Sequence, residues 1–453
     1  MQPLPKEFEE QMKRLLGEAG FFAYLDALNQ PYTRALRVNL LLRPDGTPPC
    51  PIEGLGAPVP WAKGAYFVEG DARPGLSPLH EGGLFYMQEP SALTAVTVLD
   101  PQPGERVLDL CAAPGGKSTQ IAALMAGRGL LCCNEPIPSR AQILSRNIER
   151  MGVRNAVVLS AMPDALAPRF PAFFDRILVD APCSGEGMFR RQPEARDEWD
   201  ADAPRRCADR QMEILAQAAK MLRPGGTMVY STCTFNDTEN EGVLRRFLAL
   251  HPEFSLVPFA LPGLPEAKDG YLHLYPHEMR GEGHFVSRLK KADGADEADA
   301  PVQGAPQRKA PARAAAKGKA PAPIVLPDVF SDAFAPERLY TAGDALWMLP
   351  EGISIERLSG LRVLRTGLLL AHTEGKRSEP DHALAMALRP EEAARTASLT
   401  QTQALAYQAG ETLSLGDLPG GYTLLCCEGV SLGWGKQAGG LMKNHYPKGL
   451  RRR

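Results

Sequence analysis

A chain of 453 residues, 44% hydrophobic and 23% charged, has the composition of a globular protein. At roughly 100–200 residues per domain it holds about two to four domains, and it is no collagen, coiled-coil rod or chain disordered throughout. Lys+Arg 51 against Asp+Glu 53 leaves a formal charge of -2, so the total names no polyanionic partner, and one has to be sought in where the charges sit.

The N-terminal stretch MQPLPKEFEEQMKRLLGEAGFF sets Phe8, Met12, Leu15 and Leu16 at helical spacing and carries acids, unlike a signal peptide. No apolar run reaches the ~20 residues of a membrane helix. Up to residue 88 the chain is then rich in Pro and Gly, with one strand-like stretch, ALRVNLLL (35–42). From about 89 to 291 short apolar strands alternate with helices. The strands are RVLDLCA (106–112), GLLCCNE (129–135), NAVVLS (155–160), DRILVDAP (175–182) and TMVYSTC (227–233). Helices are predicted over Gly115–Met125, Ser139–Met151 and Arg205–Leu222, the last ended by Pro224-Gly225-Gly226. This alternation predicts an α/β fold with a parallel, doubly wound sheet and ligands bound off the carboxyl ends of its strands.

Residues 292–323 hold 12 Ala, 5 Pro and 3 Gly without a Leu, Ile, Met or aromatic, and are predicted to be a disordered linker, acidic then basic. A solvated tether is favoured there over a nucleic-acid arm. Residues 324–453 contain the strand-like LWMLP, RVLRTGLLLAH and YTLLCCEGVSLGW. From Val430 onward Lys436, Lys443, Lys448, Arg451, Arg452 and Arg453 stand without an acid, with Trp434, His445 and Tyr446 among them. That pattern suits phosphate contact with base stacking, and also a solvated basic tail.

In LDLCAAPGGKST (108–119) a strand ends in small residues, turns at Pro114-Gly115-Gly116 and starts a helix at Lys117, so that backbone can approach a ligand closely and the helix end can point N–H groups at it. A P-loop competes: Gly116, Lys117 and Ser118 fit, and Asp180 would pass as a Walker B acid, but Cys111 stands where the first glycine is required. Glu135, 18 residues beyond Lys117, ends the second strand where nucleotide-binding sheets place an acid on a ribose diol.

The nine cysteines show no C-x-x-C spacing, and the vicinal pairs Cys132/Cys133 and Cys426/Cys427 cannot chelate zinc as knuckles do. No metal is expected, and the thiols are those of a reduced, cytoplasmic protein. Cys50, Cys132, Cys133, Cys207, Cys426 and Cys427 fit buried core positions. Cys183 and Cys233 each lie just past a strand's C-terminal end, on the side of the glycine turn. Thiols there have no use in phosphoryl transfer. A thiolate adding to pyrimidine C6 makes C5 an enamine carbon able to attack an electrophilic methyl, and a second thiol or a water can assist elimination. Asp180, beside the base, would stabilise the charge that builds on addition.

DLCAAPGGKS (109–118), NE (134–135), DAPCSGEGMF (180–189) and YSTCTFNDTENE (230–241) resemble the motifs of S-adenosylmethionine-dependent RNA cytosine-5 methyltransferases of the NOL/NOP/Sun type, in the RsmF-like branch that acts on small-subunit (16S) ribosomal RNA. The likeness extends to ALRVN (35–39), RPGLSPLHEGGLFYMQEPSA (73–92) and LGWGKQAGGLMKNHYPKGLR (432–451). It implies a Rossmann-like catalytic domain at 89–291 between an N-terminal RNA-binding segment (1–88) and, beyond the linker, a C-terminal intermediary and PUA-like RNA-binding module (324–453). It further implies that Cys111, Ala112, Ala113, Pro114, Gly115, Gly116 and Lys117 cradle the methionine and ribose of S-adenosylmethionine, with Glu135 on the ribose hydroxyls. Cys233 is then the nucleophile, Cys183 assists product release, and Asp180 touches cofactor and base. The family's acid after the third strand falls on Asp164, offset behind Pro163. Arg190 and Arg191, at the mouth of the site, join Lys436, Lys443 and Lys448 as candidate RNA contacts. A monomer working on ribosomal RNA or the small subunit, with no membrane or metal partner, is expected. The alternatives are transfer RNA as substrate, a catalytically silent assembly factor, or a P-loop NTPase.

Overall fold

In the computed structural model the described residues are 3–294, 329, 336–374 and 377–451. All but the first three residues of the expected linker 292–323 lie outside them, as do Arg452 and Arg453.

The five predicted parallel strands form, observed as Arg106–Asp109, Leu130–Asn134, Ala156–Leu159, Phe174–Asp180 and Leu222–Thr232. Their runs of Val, Leu, Ile and Cys are buried on both faces, as covered parallel strands require. Arg106–Asp109 lies centrally, with Leu130–Asn134 and Ala156–Leu159 laid outward on one side and Phe174–Asp180 and Leu222–Thr232 on the other. The strand order therefore reverses between Arg106–Asp109 and Phe174–Asp180, and a crevice opens at such a reversal, beyond the carboxyl ends. His284–Lys291 adds antiparallel to Leu222–Thr232 and pairs with both Phe254–Leu256 and Tyr271–Leu274.

Four sequence expectations shift: the strand in ALRVNLLL ends at Val38, YTLLCCEGVSLGW is a hairpin rather than one strand, and two further segments change. Pro224-Gly225-Gly226 does not end a helix, which stops already at Met221; these residues form a register irregularity inside the long strand Leu222–Thr232. RVLRTGLLLAH is not one strand. Gly367, at φ +145°, divides it: Val363–Arg365 becomes the far edge of the central sheet, antiparallel to Ala156–Leu159, while Leu368–Glu374 enters a four-stranded sheet with Leu339–Ala342, Ala345–Met348 and Arg377–Pro380.

The N-terminal helix Lys6–Leu28, broken at Gly17 (φ +70°), packs Phe8, Met12, Phe21, Tyr24 and Leu28 against Phe189, Trp199, Phe235 and Tyr275 of the central domain. Beyond it, Leu55–Pro58, Ala65–Val68, Arg34–Val38 and Phe85–Gln88 form an antiparallel sheet. Arg37, in that sheet, is buried and donates to Thr119 Oγ1 (2.9 Å) and the Gly116 carbonyl (3.2 Å), which fastens the sheet to the helix after the glycine turn.

At the C-terminal end Gly421–Cys427 and Val430–Ala438 make a hairpin through Glu428-Gly429, both at positive φ, as a two-residue turn matching strand twist requires. Leu425, Cys427, Val430 and Leu432 share one core with Leu36, Val38, Leu79 and Phe85, so the N- and C-terminal ends of the chain are packed together. Trp434 and Tyr446, read as stacking candidates, are 2% and 3% exposed. The Trp434 indole donates to the Asp381 carbonyl at 2.8 Å. Apolar burial takes both rings away from any base.

A Cβ on Gly367 would lie 2.2 Å from the Met348 carbonyl oxygen. Gly367→Val should cost at least ~2 kcal/mol in urea unfolding. An unchanged midpoint would show that the strand need not divide there.

Candidate active site

At the strand-order reversal lies a cavity of about 750 Å³. Cys111 and Ala113 line it from the glycine turn, Glu135, Ile137 and Arg140 from the end of the second strand and the helix after it, and Met162 and Asp164 from beyond the third. Asp180 ends the fourth strand, Pro182 and Cys183 follow it, and Cys233 follows the fifth. Arg210, Glu213, Ile214 and Gln217, from the helix Ala203–Met221, close the far wall. The sequence motifs thus converge.

The turn works because Gly115 adopts φ +113°, which glycine alone takes without strain, and because a Cβ there would crowd Leu144 and Asn147 at 3.2 and 3.3 Å. The Asn147 amide donates to the Pro114 carbonyl (2.8 Å) and Arg140 to the Ala113 carbonyl (3.1 Å), so the helix Pro138–Arg150 holds the turn from outside. Glu135, 3% exposed, accepts from the Ile137 N–H at 3.0 Å and lies 3.4 Å from Arg140. Asp164, by contrast, is exposed at the start of the short helix Pro163–Leu166.

Asp180 is the electrostatic centre. Its Oδ2 accepts from Lys117 Nζ at 2.8 Å and its Oδ1 from Ser231 Oγ at 2.8 Å, with His284 Nε2 3.6 Å away. Burial works to raise its pKa, but Lys117 and His284 outweigh that and hold it well below the usual carboxylate range. Burial in turn works against the Lys117 ammonium, and Asp180 more than restores it. Both groups are therefore charged at neutral pH. Asp109, the last residue of the strand Arg106–Asp109, is fully buried. Burial lifts its carboxyl to about 7 despite the Ser118 hydroxyl 2.6 Å away.

The Cys183 and Cys233 sulfurs stand 3.3 Å apart. The contact with Cys233, followed by burial, pushes the Cys183 thiol far up, so it keeps its proton. The two loops are fastened to each other by buried carboxylates. Glu186, from the Cys183 loop, accepts from the Phe235 and Asn236 N–H groups at 2.8 and 3.1 Å. Glu239, from the Cys233 loop, accepts from the Ser184 N–H at 3.1 Å and from the Gln211 amide at 2.8 Å. Both lie inside the quoted motifs, yet sequence reasoning gave them no role, because nothing in a string distinguishes a buried bracing carboxylate from a solvated one. His284, Arg140 and the Arg210–Gln217 wall were likewise missed.

Arg190 is a correction. It is not at an open mouth but buried, in a bidentate pair with Glu282 (2.8 and 2.7 Å), and it also donates to the Ala27 and Gly281 carbonyls. Its charge and hydrogen bonds anchor the end of the N-terminal helix. Arg191 is exposed, as are Lys443 and Lys448; Lys436 is half-buried, its ammonium 4.7 Å from the centre of the Tyr422 ring.

A family model described as 16S rRNA methyltransferase RsmB/F matches residues 96–290. Models described as the N-terminal domain of 16S rRNA methyltransferase RsmF, the RsmF rRNA methyltransferase first C-terminal domain and the methyltransferase RsmF PUA domain match 4–90, 328–388 and 394–452. The ribosomal RNA small subunit methyltransferase F of Erwinia tasmaniensis is 34% identical over 464 residues, covering 98% of this chain and 96% of that protein. The chain belongs to the RsmF methyltransferase family. A second relative of the same name, from Enterobacter, is 35% identical over 98% of this chain and 95% of its own length. Among solved structures, a methyltransferase homolog from Pyrococcus horikoshii superposes with a TM-score of 0.53 at 31% identity, over 63% of this chain and 95% of its own.

This RsmF-family chain is therefore an S-adenosylmethionine-dependent methyltransferase with a Rossmann-like domain. The cavity fits that cofactor: it offers a turn that a side chain at Gly115 would crowd, a buried carboxylate at the second strand's end, and apolar walls in Ile137, Met162, Pro182 and Ile214.

Two outcomes test this description. Arg190→Ala should lower stability by about 3–5 kcal/mol, the cost of leaving Glu282 buried and unpaired, while the salt dependence of RNA binding stays as it was. A stable variant with a reduced salt slope would restore Arg190 as a phosphate contact. Because Asp109 binds its proton more tightly when folded than in an unfolded chain (pKa about 4), its contribution to native stability falls as pH rises from about 4 through 7. Asp109→Asn should flatten that decline in melting temperature, and an unchanged slope would remove Asp109 as its source.

Proposed function

We propose that this protein methylates carbon 5 of cytosine in small-subunit ribosomal RNA, in the cytoplasm, through a covalent bond between Cys233 and the base. The supporting observation is two thiols 3.3 Å apart on the wall of the cofactor cavity, which Asp180, held by Lys117, also lines. The names of the relatives and the family models supply the substrate class.

Residues 111–117 and Glu135 hold S-adenosylmethionine, whose bound form supplies an electrophilic methyl group; Asp164 is placed along the same wall. Cys233 adds to C6 of the base. Negative charge then builds on the pyrimidine, and the ionised Asp180 cannot by itself stabilise it. That role passes to Lys117, while Asp180 accepts from the exocyclic amine and keeps the ammonium in place. C5 then carries the nucleophilic electron pair. Once it is methylated, a water takes its proton and Cys233 departs from C6 as a thiolate. Cys183, protonated and in contact with the Cys233 sulfur, assists that departure. The target base has to leave its stack, since a thiol cannot reach C6 within a helix.

Residues 1–88, the catalytic 89–291 and the C-terminal 324–453 divide the work, the outer parts binding RNA. Arg191, Lys436, Lys443 and Lys448 are the phosphate contacts.

With labelled S-adenosylmethionine and unmodified ribosomal RNA, the protein should form 5-methylcytosine. Cys233→Ala should abolish it, and surviving activity would refute the nucleophile. Cys183→Ala should accumulate a protein–RNA adduct on denaturing gels, and free active enzyme would refute the release role.

A further inference from the structure

The two cysteine-bearing loops brace each other reciprocally. Glu186 stands three residues after Cys183 but grips the backbone of the Cys233 loop, at Phe235 and Asn236. Glu239 stands six residues after Cys233 but grips the backbone of the Cys183 loop, at Ser184. The Asn236 amide joins the carboxylates, donating to Glu186 Oε1 at 3.1 Å and to Glu239 Oε1 at 2.9 Å. Both glutamates and Asn236 are buried. The Gly187 N–H donates to the Cys233 carbonyl at 2.8 Å, and the Ser184 and Thr234 hydroxyls meet at 2.7 Å, so the loops are joined on both flanks of the thiols. The N-terminal helix reaches the same carboxylate, Gln11 donating to Glu186 Oε1 at 2.9 Å.

We propose that Glu186 and Glu239, bridged by Asn236, are positioning residues that hold the two thiols at their working separation. Neither carboxylate lines the cavity, so they act through the cysteines rather than on substrate. A loop free to move by an ångström loses rate even when every reacting group is present. The catalytic part of this inference rests on the covalent chemistry proposed above; the geometric part does not.

The test uses the full-length protein with two readouts. Diamide converts two close thiols into a disulfide, their two hydrogens passing to the diazene, and mass spectrometry follows the Cys183–Cys233 link. In Glu186→Ala, disulfide formation should slow about tenfold or more and kcat for methyl transfer should fall by a similar factor, with KM for S-adenosylmethionine and for RNA within about twofold of the parent. Glu186→Gln keeps a carbonyl to accept from the two backbone N–H groups and should recover both rates to within about threefold. Asn236→Ala, which keeps the carboxylates' contacts to the Phe235, Asn236 and Ser184 N–H groups, should slow both about threefold and serves if Glu186→Ala does not fold. Parent-like disulfide rates in Glu186→Ala, or in Asn236→Ala where it has to serve, would overturn the brace. Slowed disulfide formation with no methyl transfer even in the parent would instead keep the brace and refute the proposed chemistry.

Discussion

The pair between Lys117 and Asp180 ties together what the rest of the site depends on. Lys117 opens the helix after the glycine turn, and Asp180 ends the strand on the other side of the strand-order reversal. Their 2.8 Å contact therefore closes the crevice from both walls. Neither group is cheap to bury alone: burial pushes the carboxyl up and the ammonium down, and each reverses the other's penalty. The consequence is a fixed dipole of full charges beside the thiols, formed before any substrate arrives. Preorganised charge of this kind is what stabilises a transition state without reorganisation at the moment of reaction.

Around that pair the protein is assembled less as beads on a string than as interleaved parts. The N-terminal helix packs on Phe189 and Phe235, one beyond each cysteine. The N-terminal sheet is pinned to the helix after the glycine turn by Arg37, and shares its other face's core with the C-terminal hairpin. Val363–Arg365, from the C-terminal portion, completes the edge of the catalytic sheet. Regions expected to hold RNA thus contact the same turns and loops that line the cavity, and help to set its geometry.

The central sheet was legible because parallel strands buried on both faces leave continuous apolar runs, and the site because glycine, cysteine and acid recur at successive strand ends. What escaped depends on long-range burial. RVLRTGLLLAH has strand-forming residues on both sides of Gly367, and only the carbonyl of Met348, close by in space, shows why the chain must turn there. Arg190 follows a motif that lines the cavity, yet Glu282 lies 92 residues away and pulls it inward. Trp434 and Tyr446 sit among lysines in the sequence, but Trp434 packs into a core with Leu424 and Cys426 and Tyr446 into one with Tyr407 and Leu413, neighbours that the lysine spacing does not reveal. Glu186 and Glu239 were in plain view, but their partners are backbone N–H groups of the opposite loop and amides such as Gln11 and Gln211 that only the fold brings near.

The central claim is that the methyl group replaces the hydrogen on carbon 5 of a cytosine. Small-subunit ribosomal RNA carrying tritium at cytosine C5, incubated with the protein and S-adenosylmethionine, tests it most directly. One tritium should be released to water for each methyl group transferred. Methyl transfer without tritium release would place the methyl on another atom and contradict the account.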